Sequence, residues 1–99
     1  MYNGPGDAMK ETIDLINAMR MRLGWDKTDD LTSLIRYLNE EVVELTIESQ
    51  RRPIDQQALI EELADVLMVA LALADDLGVS AHQIIQEKIE KVVVKYESS

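Results

Sequence analysis

Five acids raise the first question. Glu40, Glu41 and Glu44 sit in "NEEVVEL", and Glu62 and Asp65 sit in "EELADVL". At 100° per residue, Glu41, Glu44 and Glu48 share one side of a helix, beside the apolar stripe at Leu34 and Leu38. Glu62 and Asp65 share a face with Ala58, Val69, Ala72 and Asp76, where the alanines allow close approach. Asp65 interrupts a run from Leu63 to Ala74 that is otherwise apolar. Aspartate also ranks low in helix propensity, so its place there needs a reason.

Antiparallel packing of the two helices turns the pairs Glu41/Glu44 and Glu62/Asp65 toward each other. Four carboxylates converging at the edge of a core repel unless something neutralises them. One neutraliser is Lys or Arg from elsewhere in the fold. The other is a divalent cation, and hard carboxylate oxygens suit Mg²⁺ or Mn²⁺. A di-iron bundle needs Glu-x-x-His on each of two helices. The single histidine, His82, has Val79 three places before it, which excludes that centre. The plainer reading for Glu41, Glu44 and Glu48 is a solvated face, and the helix dipole alone favours Glu61 and Glu62 near a helix start. Asp65 fits neither.

Positioning these acids requires helices, and the spacing predicts four. Residues 1–6 read as a loose leader, and residues 7–99 as one domain. A first helix is expected from about Ala8 to Leu23, capped by Asp7 and ended by Gly24. "GWDKTDD" is a loop. Asp29 or Asp30 caps a second helix that lasts to about Arg51, with Leu31, Leu34, Ile35, Leu38, Val42 and Leu45 at helical spacing. Pro53 stops it. Asp55 caps a third helix that reaches Leu77 and ends at Gly78. Ser80 and Gln83 form a capping-box pattern for a fourth, whose stripe is Ile85, Ile89, Val92 and Tyr96. No segment alternates in the manner of a strand. The expectation is an all-α protein of four antiparallel helices per chain with short connections. The third helix is apolar nearly all round, and such a helix must be covered on several sides. A second subunit would do this most easily, so an oligomeric bundle, a dimer or larger, is expected.

Composition excludes several classes. The chain has 99 residues and a net charge of −9, from 19 acids against 10 Lys and Arg. That balance opposes coating of a nucleic acid polymer, which needs a basic surface. It leaves room for a single nucleotide held through a metal. There are no cysteines, so disulfides and thiolate chemistry are absent. The N-terminal residues lack the pattern of a signal peptide, and the longest apolar run is far short of the ~20 residues of a bilayer helix. A cytoplasmic protein, off the membrane, is the default expectation.

"GWDKTDDLTSLIRYLNEEVVEL", followed by "EELADVL", resembles the MazG-like nucleoside triphosphate pyrophosphohydrolases. Their signature is E-E-x-x-E, a spacer, then E-x-x-D. Here it reads Glu40-Glu41-Val42-Val43-Glu44, a spacer over residues 45–61, then Glu62-Leu63-Ala64-Asp65. The resemblance spans roughly residues 24–96. It implies an all-α fold assembled as homodimers or homotetramers. It implies hydrolysis of (d)NTPs between the α and β phosphates, giving (d)NMP and pyrophosphate, with a housecleaning role in the nucleotide pool. It implies Mg²⁺, with Mn²⁺ as a substitute, and the matching ligand positions are Glu41, Glu44, Glu62 and Asp65.

A triphosphate cannot enter an all-acid pocket unaided, and a divalent cation bridges the two sets of anions. A carboxylate not fully occupied by metal can accept the proton of the attacking water, with Glu40 and Glu41 as the candidates. Remaining phosphate charge calls for cations: Lys88, Lys91 and Lys95 lie at i, i+3, i+7 on the last helix, and Lys27 in the loop. Trp25 either stacks on a base or anchors packing beside Gly24. Arg36 and Tyr37 either line a pocket or lie on the surface. Some relatives carry an Asn where Val92 stands here, which leaves base preference open. The rival reading is a non-catalytic helical dimer that binds a nucleotide, a metal or a partner on the same scaffold.

Overall fold

The structure is a computed structural model that describes residues 5–98. It contains α1 (Pro5–Arg22), a single 3-10 turn (Trp25–Lys27), α2 (Leu31–Ser49), α3 (Gln56–Asp76) and α4 (Ala81–Glu97), with no strand among the described residues. The all-α expectation and the four helices are observed. Most of the expected leader, residues 1–4, lies outside the described residues. Helix α1 starts at Pro5, upstream of the expected Ala8, so Asp7 stands inside the first turn rather than ahead of it as a cap. Proline is tolerated there because the first-turn N–H groups have no intrahelical acceptor.

The other boundaries follow their caps. Asp30 accepts from the Ser33 N–H at 2.7 Å, and the Asp30 N–H donates to Ser33 Oγ at 2.8 Å, closing a capping box for α2. Asp55 accepts from the Ala58 N–H at 3.1 Å and starts α3. Ser80 accepts from the Gln83 N–H at 3.2 Å, but the Gln83 side chain turns to Glu87, so only half of the expected box forms. At the end of α3, Gly78 has φ 72. Its N–H bonds to the Asp75 carbonyl at 2.9 Å, and the Val79 N–H bonds to the Ala74 carbonyl at 3.1 Å. This is a Schellman ending, whose left-handed residue favours glycine.

The body is the α2–α3 hairpin with α1 laid against it. Residues 50–55 connect the two long helices, and such a short link makes neighbours antiparallel. The core is small. Ile16, Leu34 and Ala72 are buried together, with Met68, Val69, Leu71 and Leu73 packed around them. Arg20 is buried too, and it fastens the end of α1. Its Nη1 and Nη2 donate to the two Asp76 carboxylate oxygens at 3.1 and 2.8 Å, and Nη1 also reaches Asn17 Oδ1 at 3.1 Å. Its Nε lies 3.4 Å from Asp29 in the loop before α2.

Helix α4 does not close a bundle within the chain. Only Ala81 is buried, and from His82 onward every described residue of α4 is exposed. Ile85 and Ile89 keep 52 % and 55 % of their surface, and Leu67 of α3 keeps 52 %. The radius of gyration is 15.9 Å, against about 13 Å for a compact domain of this length. The third helix is therefore not covered on several sides by its own chain, as its apolar sequence had required.

Candidate functional site

Helices α2 and α3 meet along their acidic faces. Glu41, Glu62 and Asp65 each place a carboxylate oxygen within 4.8 Å of the others. Asp65 lies against Glu41, and Glu44 lies against Glu62 with Glu48 a turn further, which is the pairing that an antiparallel hairpin dictates. The triad residues are half-buried, whereas Glu44 is exposed at the rim. Glu40 is exposed and outside the triad.

The electrostatics favour a cation. Burial first, then the charges of Asp65, Glu44 and Glu62, pushes the Glu41 carboxyl above its ordinary value. Burial, then Glu44 and Asp65, does the same to Glu62. Among the described residues, no Lys or Arg forms an ion pair with any of these four acids: Arg20 is engaged with Asp76 and Asp29, and Arg51 with Glu48 at 3.1 Å. The basic neutraliser allowed by the sequence is therefore not supplied by the described residues. Glu41 Oε2 and Glu62 Oε2 are buried with no hydrogen-bond partner. Buried polar atoms are rarely left so, and an ion is one of the ordinary explanations. Hard oxygen donors, close together and unsatisfied, fit Mg²⁺ or Mn²⁺.

The acids open into a cleft of about 510 Å³. Glu41 and Asp65 stand at one end. Met68, Val69 and Ala72 of α3 form its floor, Tyr37 and Trp25 line it, and Arg20, Thr28 and Asp29 complete it. Trp25 is half-exposed, so it is a wall of the cleft rather than a buried packing anchor. Tyr37 lines the cleft as one of its two readings held, with the Arg36 guanidinium 5.3 Å above its ring.

The lysines are elsewhere. Lys27 is exposed on the 3-10 turn and does not line the cleft. Lys91 and Lys95 line a separate shallow groove on α4 with Glu87, Glu90 and Val94, and Lys88 is exposed on the same helix. The i, i+3, i+7 spacing placed the three on one helix, but it carried no information on where that helix points. Arg20 escaped the sequence reading altogether. Its partner Asp76 is 56 residues away, and only the co-facing of Asp76 with Asp65 and Ala72 hinted at it.

The family model described as the MazG-like family matches residues 25–99, so the chain belongs to the MazG-like family. No curated protein and no solved structure matches it. Membership points to hydrolysis of the pyrophosphohydrolase type. Among the described residues, no helix is long and apolar enough to cross a membrane.

The acidic cluster makes a pH-dependent prediction. Glu41 and Glu62 are raised above the ordinary 4.5 by folding, so the metal-free folded state binds more protons than the unfolded state between that value and the raised one. The contribution of these groups to stability therefore falls as pH rises through that window. A divalent cation competes with the same protons, so its effect has the opposite trend. Thermal melts in chelator should show the first, and added Mg²⁺ or Mn²⁺ should raise the melting temperature at about pH 7.5 and progressively less toward about pH 5.

Proposed function

We propose that this protein hydrolyses nucleoside triphosphates between the α and β phosphates, using a divalent cation held by Glu41, Glu62 and Asp65 with Glu44 beside them. The observation that carries this reading is the acidic triad, with a buried oxygen of Glu41 and one of Glu62 lacking a partner, beside a nucleoside-sized cleft. A bound Mg²⁺ or Mn²⁺ supplies charge compensation for the phosphates and a water of lowered pKa. The chain's residues do the rest. Glu41, Glu62 and Asp65, with Glu44 beside them, would hold that cation and so decide where along the cleft the reacting phosphates lie. Glu40 or Glu41 accepts the proton of the attacking water, whose oxygen ends on the monophosphate product as the anhydride bond breaks and pyrophosphate departs with the bonding electrons. Trp25 and Tyr37 flank the base.

In this reading the protein works as a homodimer or homotetramer. The exposed apolar residues of α3 and α4 support that, because a compact lone domain does not leave so many uncovered. Phosphate contact by Lys88, Lys91 or Lys95 requires a neighbouring copy, since α4 stands away from the cleft of its own chain. The function is nucleotide-pool housecleaning in the cytoplasm, with no nucleic acid polymer and no membrane as partner. A panel of canonical and damaged (d)NTPs with Mg²⁺, read by pyrophosphate release, tests it. Release from at least one of them is expected. Binding without release from any would favour the non-catalytic module instead.

A further inference from the structure

The cleft has a second polar end, opposite the acids. Arg20 and Asp29 line it, and their side chains are only 7 % and 8 % exposed. They form an ion pair at 3.4 Å, yet Arg20 Nε has no hydrogen-bond partner. The Arg20 guanidinium is the cation facing the Asp29 carboxylate, and the Asp29 backbone N–H is used, bonding to the Trp25 carbonyl at 2.8 Å. The other guanidinium nitrogens are committed to Asp76 and Asn17. A largely buried carboxylate is thus held at the cleft wall by one cation, and a carboxylate has acceptor capacity beyond one such partner. A ligand N–H donor is the natural complement of that remaining capacity.

Its distance from the acids fits a nucleoside. Helix α3 is a ruler along the cleft floor, and from Asp65 to Ala72 it rises about 10 Å at 1.5 Å per residue. Arg20 is anchored one turn beyond, at Asp76. A nucleotide whose phosphates lie at Asp65 extends its base toward that end, between Trp25 and Tyr37. Every nucleobase offers N–H donors on its edge, but at positions that differ from base to base. A fixed acceptor therefore discriminates among them.

We propose that Asp29 reads the hydrogen-bonding edge of the nucleobase and that Arg20 is the residue that positions it. This rests on the triphosphate reading of the same cleft. Asp29 makes no contact with the reacting phosphates, so its role is specificity rather than chemistry. Sites that hydrogen-bond a substrate N–H or O–H reject analogues lacking it far more strongly than apolar pockets reject a change of size.

The full chain provides its own probe, because Trp25 is its one tryptophan. Binding of the α,β-imido analogues of dATP, dCTP, dGTP and dTTP, in Mg²⁺, is read by quenching of Trp25 fluorescence. The parent protein should prefer one or two bases over the others. Asp29→Asn, which replaces a pure acceptor by a mixed donor and acceptor, should reorder the four and change the ratio of best to worst by about tenfold or more, the range of one hydrogen bond to a charged group. Asp29→Glu keeps the charge beside Arg20 and is read the same way if the amide variant does not fold. Uniform weakening of all four by both variants, or a parent indifferent to the base, overturns the proposal while leaving the triphosphate reading intact. Failure of every analogue to bind, with or without Mg²⁺, removes both.

Discussion

Asp65→Asn is expected to lower turnover by at least about a thousandfold, as befits several kcal/mol of charge stabilisation at 1.4 kcal/mol per tenfold. The amide cannot supply the third anionic oxygen of the triad, whose ligand atoms lie within 4.8 Å of one another. The helical circular dichroism signal should be unchanged, because Asp65 caps nothing and Asn has a similar helix propensity. The stability of the variant should move in opposite directions in two buffers. In chelator the variant should melt higher than the parent, since Asp65 is one of the charges that destabilise ionised Glu41 and Glu62. The rise should be small, because solvent screens like-charge contacts near the surface. In Mg²⁺ the order should reverse, because the parent gains binding energy that the variant lacks. A variant that keeps both the cation-induced shift and pyrophosphate release would show that Asp65 is not a ligand.

Replacing Ile85 and Ile89 together by Glu is expected to dissociate the protein. Both are about half exposed on a helix that buries only its first residue. Burying the remaining half of an isoleucine is worth about 1 kcal/mol, and the stripe around them multiplies that. Sedimentation of the parent should give a multiple of 11.2 kDa, and the double variant should sediment at 11.2 kDa with a lower melting temperature. Its turnover should fall too if a neighbouring α4 supplies lysines to the cleft. A parent that sediments as a single chain at micromolar concentration would overturn the assembly.

Much of this was legible in the sequence because it is local. Asp30, Asp55 and Ser80 each cap a helix within three residues of themselves, so the chain announces those starts. The acid register was legible for a related reason: 3.6 residues per turn and one short link suffice to bring residues 41 and 65 together. What was hidden depends on directions between elements. The run from Leu63 to Ala74 reads as a core helix, yet Leu63 and Leu67 are half exposed, because hydropathy states a demand for cover and not who supplies it. The lysines of α4 share a face correctly but miss the cleft, since the turn at Gly78 aims the helix away. The Arg20, Asp29 and Asp76 cluster joins three elements and leaves no periodic trace.

The three triad acids come from one hairpin, and nothing between Glu41 and Asp65 in the chain belongs to α1 or to the 3-10 turn. The opposite end of the cleft draws on α1, the 3-10 turn and the loop after it, with Ala72 of α3 beside them. In the proposed reading, bond-breaking and choice of cargo therefore fall mainly to different stretches of the chain. Ile16 and Arg20 of α1 nonetheless reach into the hairpin, at Leu34 and Ala72 and at Asp76, so a change at one end of the cleft is felt in the packing that supports the other.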